Sequence, residues 1–242
     1  FFTEEMDAEA HERLSIEVEL RNALERKELF LEYQPVVDGY SGHVVGFEVL
    51  VRWQSPKFGL VPPNKFIPIA EETGLIHEIG LWVLNEACVT LTQFREQGFE
   101  RLRVAVNVSS KQFQDFGLVD SVKTALNSAG IPPYCLALEI TENLLLEERD
   151  EVTEILHRLT QLGVQLSVDD FGTGYSSLSY LKKYPFNTLK IDRSFIQNIV
   201  DDADDLNLTK AIIAMAHALH LEVVAEGVED KVQLALLRAE SC

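Results

Sequence analysis

Apolar and polar positions along the chain fall into two periods that alternate. Leu14, Val18, Leu20 and Leu24 recur near helical spacing among charged residues, which predicts a helix over 7–29. Two strand-like runs follow at 31–37 and 43–53, joined by about five residues containing Asp, Gly and Ser, and they read as an antiparallel hairpin. A loop marked by Pro56, Gly59, Pro62 and Pro63 separates the hairpin from helical patterns at 64–72 and 77–97. Thereafter strands at 103–109, 135–141, 164–170, 187–192 and 221–227 alternate with helices at 117–129, 150–162, 204–219 and 229–239. Strands separated by helices of this length predict parallel βαβ units.

Within the strands, one face is apolar and the other small or polar. Val104, Val106 and Val108 oppose Arg103, Ala105 and Asn107, and Leu136, Leu138 and Ile140 oppose Cys135, Ala137 and Glu139. The same holds for Leu166 and Val168 against Ser167 and Asp169, for Leu189 and Ile191 against Thr188 and Lys190, and for Val223 and Ala225 against Glu222, Val224 and Glu226. A doubly wound open sheet would be apolar on both faces. A barrel with helices outside and a polar mouth at the strand carboxyl ends accounts for the pattern better.

The chain has 242 residues and a formal charge of −18, with 46% hydrophobic residues. That apolar content excludes a disordered chain. The charge excludes electrostatic binding of a nucleic acid polymer and gives no reason to expect membrane contact by this domain. Cys88, Cys135 and Cys242 have no metal or redox spacing and read as buried thiols of a reducing cytoplasm. The longest apolar stretch, near 211–219, is far too short to span a bilayer. A cytoplasmic domain is expected, and whether a parent protein is membrane-anchored is left open.

The strand-end groups are Glu48, Asn107, Glu139, Asp169, Asp170, Lys190 and Glu226. Five carboxylates converging on one mouth repel one another unless cations compensate them, and all-oxygen donors select hard divalent ions. No histidine falls at a strand end, which argues against zinc. The adjacent Asp169 and Asp170 are suited to bridging two ions about 3.5–4 Å apart, as in phosphoester hydrolysis; alternatively, Asp170 simply opens the turn before Gly172. Lys190 has three readings: a structural pair with Asp169, a Schiff base, or a group that orients water. Carboxylates around it should hold its pKa up, which disfavours the Schiff base. Gly172 and Gly174 read as a flexible turn or an anion nest, the acidic run 201–205 as a solvated helix start, and Trp53 and Trp82 as packing residues.

GFEVLVRW (46–53), VNVS (106–109), LEITE (138–142), VDDFGTGYSSLSYL (168–181), LKID (189–192) and AEGVE (225–229) together resemble the EAL-domain cyclic-di-GMP phosphodiesterases. The resemblance implies a modified TIM (β/α)8 barrel with one antiparallel strand. It implies that Glu48, Asn107, Glu139 and Asp169 surround one divalent ion and that Asp169, Asp170 and Glu226 serve a second. Both would be Mg²⁺ or Mn²⁺, with Ca²⁺ binding without turnover. Lys190 would contact the attacking water, Arg52 a substrate phosphate, and Gln34 would lie near a guanine. Glu142 would hold the Asp-Asp loop, which carries Gly172 and Gly174, and Glu229 matches a position after strand seven. The implied reaction opens one phosphodiester of cyclic di-GMP to linear pGpG. The runner-up is a catalytically silent receptor that binds the dinucleotide and signals to a neighbouring domain.

The signature here is Glu-Val-Leu rather than Glu-Ala-Leu, and Val49 is expected to face away from the mouth. Residues 1–28 resemble a linker helix from an upstream GGDEF or sensor domain, which leaves 29–242 for the barrel. Seven strands can be counted, so the expected barrel lacks its eighth strand at the C-terminal end. Homodimerisation is a further expectation from the family.

Overall fold

The computed structural model describes residues 4–115, 117–145, 150–172 and 178–242. In chain order the elements are α1 (Glu4–Leu20), β1 (Leu29–Val37), β2 (Val44–Ser55), β3 (Gly59–Val61), α2 (Pro63–Thr73), α3 (Ile76–Glu96) and β4 (Arg103–Asn107). Then come α4 (Gly117–Ala129), β5 (Leu136–Thr141), α5 (Glu142–Leu145), α6 (Asp150–Leu162), β6 (Gln165–Phe171) and α7 (Leu178–Lys183). The series ends with β7 (Thr188–Ile191), α8 (Arg193–Ile196), α9 (Ala203–Ala218), β8 (Glu222–Ala225) and α10 (Lys231–Ala239). Among the described residues no helix is long and apolar enough to cross a membrane.

One sheet runs β1-β2-β4-β5-β6-β7-β8, with the short β3 attached to β2. β1 lies antiparallel to β2, and every later neighbour along this path is parallel. The sheet is curled but open: among the described residues β1 and β8 are not paired. The path holds the seven strands that the sequence pattern predicts. Near the open edge, the Tyr40 hydroxyl donates to the Arg238 carbonyl over 3.1 Å and Arg238 Nε donates to the Gly39 carbonyl, so the end of α10 meets the tip of the β1–β2 hairpin.

The apolar strand faces are covered by helices. Val104, Leu136, Leu138, Ile140, Leu166, Val168, Leu189 and Ile191 share a core with Leu91 of α3, Ile155, Leu156 and Leu159 of α6, and Ile213 of α9. Val49 is buried as well, so the signature's departure from Ala occupies core space, away from the polar mouth.

Besides the short helices α5 and α8, which the sequence pattern does not mark, two differences lie around the hairpin. The first helix ends at Leu20 instead of continuing to 29, and 21–27 form turns. Sheet pairing decides this: Leu29 is in register with Trp53, the Gln54 N–H donates to the Glu28 carbonyl, and Trp53 Nε1 donates to the buried Glu28 carboxylate over 3.0 Å. Lys27 takes a left-handed φ of 55° where the chain reverses into β1. The proline-marked loop also contains a strand. β3 returns along β2 through a turn in which Ser55 Oγ accepts the N–H groups of Lys57 and Phe58.

The Trp53 indole N–H on one Glu28 oxygen, with Arg26 Nη1 3.8 Å from the other, makes burial of Glu28 tolerable, because an unpartnered buried polar group costs about 1–3 kcal/mol. Trp53→Phe is therefore expected to lower unfolding free energy by about that amount, read as an earlier midpoint in urea denaturation, while Glu28→Leu in the same background recovers part of the loss.

Candidate functional site

The sheet register sets the site. On the hairpin, Gln34 pairs with Glu48 and Phe30 with Arg52, so Phe30, Glu32, Gln34, Glu48, Leu50 and Arg52 lie on one face. Asn107 pairs with Glu139, and Thr141 with Asp169. Lys190 pairs with Val224, two residues before Glu226. Alternation places these side chains at the carboxyl ends of the parallel strands.

Lys190 is the hub. Its Nζ lies 3.0 Å from Glu48 Oε2, 2.9 Å from Glu139 Oε2, 3.0 Å from Asp169 Oδ1 and 2.7 Å from Glu226 Oε1. Glu48 uses its other oxygen to accept Asn107 Nδ2 at 2.9 Å. Lys190 and Glu139 are buried, at 4% exposure each, and only Asn107 of the set is open to solvent. Burial alone would push the Lys190 ammonium pKa down, but Glu139, Asp169, Glu48 and Glu226 override it and hold the pKa above its ordinary value. Burial pushes Glu139 up, and Lys190 offsets this only partly because Glu48 and Asp169 add like charge. Burial likewise raises Asp170, reinforced by Asp169, and raises Glu226 against the pull of Lys190. Around the single ammonium stand four carboxylates, so when all four are ionised negative charge is in excess and one ammonium does not balance the cluster.

Asp169 and Asp170 reach the same place by breaking the strand. In regular β structure consecutive side chains point to opposite faces. Here Asp170 takes a left-handed φ of 53°, and the β6–β7 register slips between Val168 and Phe171. As a result Asp169, Asp170 and Glu226 each offer a carboxylate oxygen, all within 4.8 Å of one another. Oxygens bound at about 2.0–2.6 Å to one Mg²⁺ or Ca²⁺ are no more than about 5 Å apart, so this all-oxygen triad suits a hard divalent ion. Glu48, Asn107, Glu139 and Asp169 form a second oxygen-rich set, held together by Lys190.

The bend is braced from the end of β5. Gly172 N–H donates to Glu142 Oε2 at 3.0 Å, and Glu142 is buried. Gly172 has a φ of 98°, and a Cβ there would lie 2.7 Å from the Phe195 ring, so glycine is required on both counts. Gly174 lies outside the described residues.

The other sequence-selected residues are arranged less tightly. Gln34 is exposed on the face that carries Glu48. Arg52 is half-buried; its Nε donates to Glu32 Oε2 at 2.7 Å and its Nη1 to the Val51 carbonyl at 3.1 Å. Glu32 was not among the sequence candidates, although its parity with Gln34 marks it as a residue of the same face. Glu229 is exposed, and its backbone N–H is taken by Gln233 Oε1, part of the capping box that starts α10.

The family model described as the EAL domain matches residues 17–242. The chain belongs to the EAL-domain family. Among its relatives it is 46% identical over 242 residues to the bifunctional diguanylate cyclase/cyclic di-GMP phosphodiesterase MucR of Pseudomonas aeruginosa. It is 47% identical over 242 residues to the cyclic di-GMP phosphodiesterase NbdA of the same organism. All of this chain is covered in both alignments, but it spans only 35% and 31% of those proteins, about one third of their length. The solved structure described as a PaMucR phosphodiesterase, c-di-GMP complex, superposes with a TM-score of 0.90 at 46% identity, covering 94% of this chain and 92% of that one. The EAL fold is thus established for this chain, and the carboxylate mouth is its candidate site of chemistry.

The excess of negative charge makes a prediction for this EAL site. Lys190→Met removes the buried cation that is bound to four carboxylates, and breaking buried pairs of this kind costs about 3–5 kcal/mol. The metal-free variant is expected to melt well below the wild type. Added Mg²⁺ should raise its Tm by more than it raises the wild-type Tm, because the ion then carries charge compensation alone. Equal Mg²⁺ shifts in the two proteins would contradict this account.

Proposed function

We propose that this EAL domain hydrolyses one phosphodiester of cyclic di-GMP to linear pGpG, using two divalent ions. The observation that carries the proposal is the convergence of Glu48, Asn107, Glu139, Asp169, Asp170 and Glu226 around Lys190 with the complete donor set present. Glu48, Asn107, Glu139 and Asp169 would hold one ion, and Asp169, Asp170 and Glu226 the other. Mg²⁺ or Mn²⁺ bound there would supply Lewis-acid charge to the phosphate and make water a stronger nucleophile near neutral pH.

The side chains supply the rest. Lys190 is kept protonated by its neighbours, and its three N–H groups are engaged by four carboxylates here. An N–H freed when those carboxylates bind ions would orient a water against the phosphate and stabilise charge that develops there. Asn107 fixes the Glu48 carboxylate through Nδ2, so that one oxygen is held while the other faces Lys190. Arg52 would bind a substrate phosphate with the guanidinium N–H groups not taken by Glu32 and Val51. Gln34, on the same face, would meet a guanine edge. The cationic groups and bound ions together would let so acidic a chain accept a dianionic ligand. MucR and NbdA, to which the chain is similar, are named for action on cyclic di-GMP, which supports this substrate over other phosphodiesters.

The relatives are about three times as long as this chain, which supports its working as one domain of a larger signalling protein. In that arrangement residues 1–28 would lead in from an upstream GGDEF or sensor domain to a barrel over 29–242, and the domain would pair as a homodimer.

The test is direct. Incubation with cyclic di-GMP and Mg²⁺ or Mn²⁺, followed by chromatography, is expected to yield pGpG, and Ca²⁺ in place of either ion is expected to bind without turnover. Asp170→Asn should lower kcat/KM by at least about 100-fold, since even residues that only support a ligand cost roughly 10–100-fold. Tight binding of the dinucleotide without pGpG would overturn the enzyme and establish the receptor reading.

A further inference from the structure

Gln233, in α10, is a buried amide outside the carboxylate mouth, at 5% exposure. Its Oε1 accepts the backbone N–H groups of Glu229 at 2.7 Å and Asp230 at 3.2 Å. Its Nε2 donates to the carbonyls of Ile196 at 3.2 Å and Gln197 at 3.4 Å, at the end of α8. The acceptor half completes the capping box of α10, a task that glutamate performs as well as glutamine. The donor half has no part in capping. It ties the loop after β8 to α8, and only an amide can do both at once.

The place of α8 gives this tie its meaning. On one side the Phe195 ring lies against Gly172, which follows the Asp169–Asp170 bend. On the other side Arg193 lies against Gly227, which follows Glu226. Gly227 has a φ of 69°, and a Cβ there would be 2.7 Å from the Arg193 Cβ. The Glu226 N–H donates to the Ile191 carbonyl at 3.1 Å, just before α8 begins. Thr209 Oγ1 of α9 donates to the Phe195 carbonyl at 3.3 Å and fixes α8 from behind. The short helix therefore stands between the two arms of the triad, the aspartates on β6 and Glu226 after β8. Its start holds Glu226 and Gly227 close, and its end holds Glu229 and Asp230 through Gln233.

We propose that Gln233 is a positioning residue for Glu226: by clamping the loop after β8 onto α8, it sets the gap between the Glu226 carboxylate and those of Asp169 and Asp170. Gln233 touches neither substrate nor ion. It acts on the backbone of 229 and 230, and the loop carries that constraint back to Glu226. Without the clamp the loop is free to lift from Arg193, and the third oxygen of the triad moves with it. The inference rests on the metal reading of this site, but it concerns ion binding rather than turnover.

The experiment measures Mn²⁺ binding without substrate, by calorimetry and by the electron paramagnetic resonance signal of free Mn²⁺. The proteins are the wild type, Asp170→Asn, Glu226→Gln, Gln233→Leu and the Glu226→Gln/Gln233→Leu double variant. Asp170→Asn identifies the ion that the triad holds. Gln233→Leu is expected to weaken that ion about tenfold, the scale of lost support behind a ligand, in protein whose circular dichroism shows it folded. Glu226→Gln keeps an oxygen donor, and the double variant should bind no more weakly than it does, because Gln233 acts through Glu226. Wild-type affinity in Gln233→Leu, or losses that add in the double variant as a general loss of stability would make them, would overturn the proposal. Should Gln233→Leu fail to fold, amide hydrogen exchange of the wild type takes its place. If the clamp favours the ion, the ion favours the clamp by the same factor, so Mg²⁺ should slow the Glu229 and Asp230 amides relative to those of α4; unchanged exchange refutes the proposal. An Mn²⁺ ion weakened by Asp170→Asn but not by Gln233→Leu defeats the role of Gln233 alone. Mn²⁺ binding that Asp170→Asn leaves unchanged defeats the metal reading of the triad, and the role of Gln233 with it.

Discussion

Lys190 brings one ammonium to a point where four carboxylates meet, each within about 3 Å of its Nζ. The four come from β2, β5, β6 and the residue after β8, so the contact ties nearly the whole curl of the sheet to one atom. Buried carboxylates this close would drive the strand ends apart if nothing compensated them. With the lysine in place the cluster is held together, but four carboxylates meet one ammonium, so the ionised cluster carries net negative charge. That residual charge links structure to chemistry. The mouth is stable enough to form and negative enough to take up more cation.

A second constraint is geometric. β-strands deliver every other side chain to a face, which suffices for Glu48, Asn107, Glu139, Asp169 and Lys190. It cannot deliver two adjacent residues to one ion. The left-handed turn at Asp170 solves this at a conformational cost that aspartate tolerates better than most residues. The turn needs support on both sides: glycine at 172 because of its φ and the Phe195 ring, and a buried Glu142 to take the Gly172 N–H. Backbone strain at the site is thus maintained by packing and hydrogen bonding from α5 and α8, elements that carry no share of the triad.

The hairpin has a different task. β1 and β2 place Gln34, Glu32 and Arg52 on the face that carries Glu48, so an amide and a guanidinium stand beside the carboxylate mouth. Glu32 holds Arg52 in a fixed orientation and leaves part of the guanidinium free. An exposed pair of this kind contributes little to stability. Its effect is to limit where the arginine points.

Much of this was legible in the sequence. Alternation of apolar and polar residues in 103–108, 135–140 and 187–192 identified the strands, their inward faces and the end at which Asn107, Glu139 and Lys190 gather, because a strand's period of two is a local property of the chain. The boundaries of α4 and α6 followed from local periodicity in the same way. Other features needed partners distant in sequence. Helix α1 stops at Leu20 because Trp53 claims Glu28 and Leu29 for the sheet. Asp170 leaves the strand geometry because Glu142 and Phe195 constrain the backbone at Gly172, and Arg52 takes its orientation from Glu32, twenty residues earlier. The sequence by itself determined which residues face the mouth. Only the tertiary structure decided that their charges share one ammonium and that two consecutive aspartates serve one site, because both depend on distances between strands that no local pattern encodes.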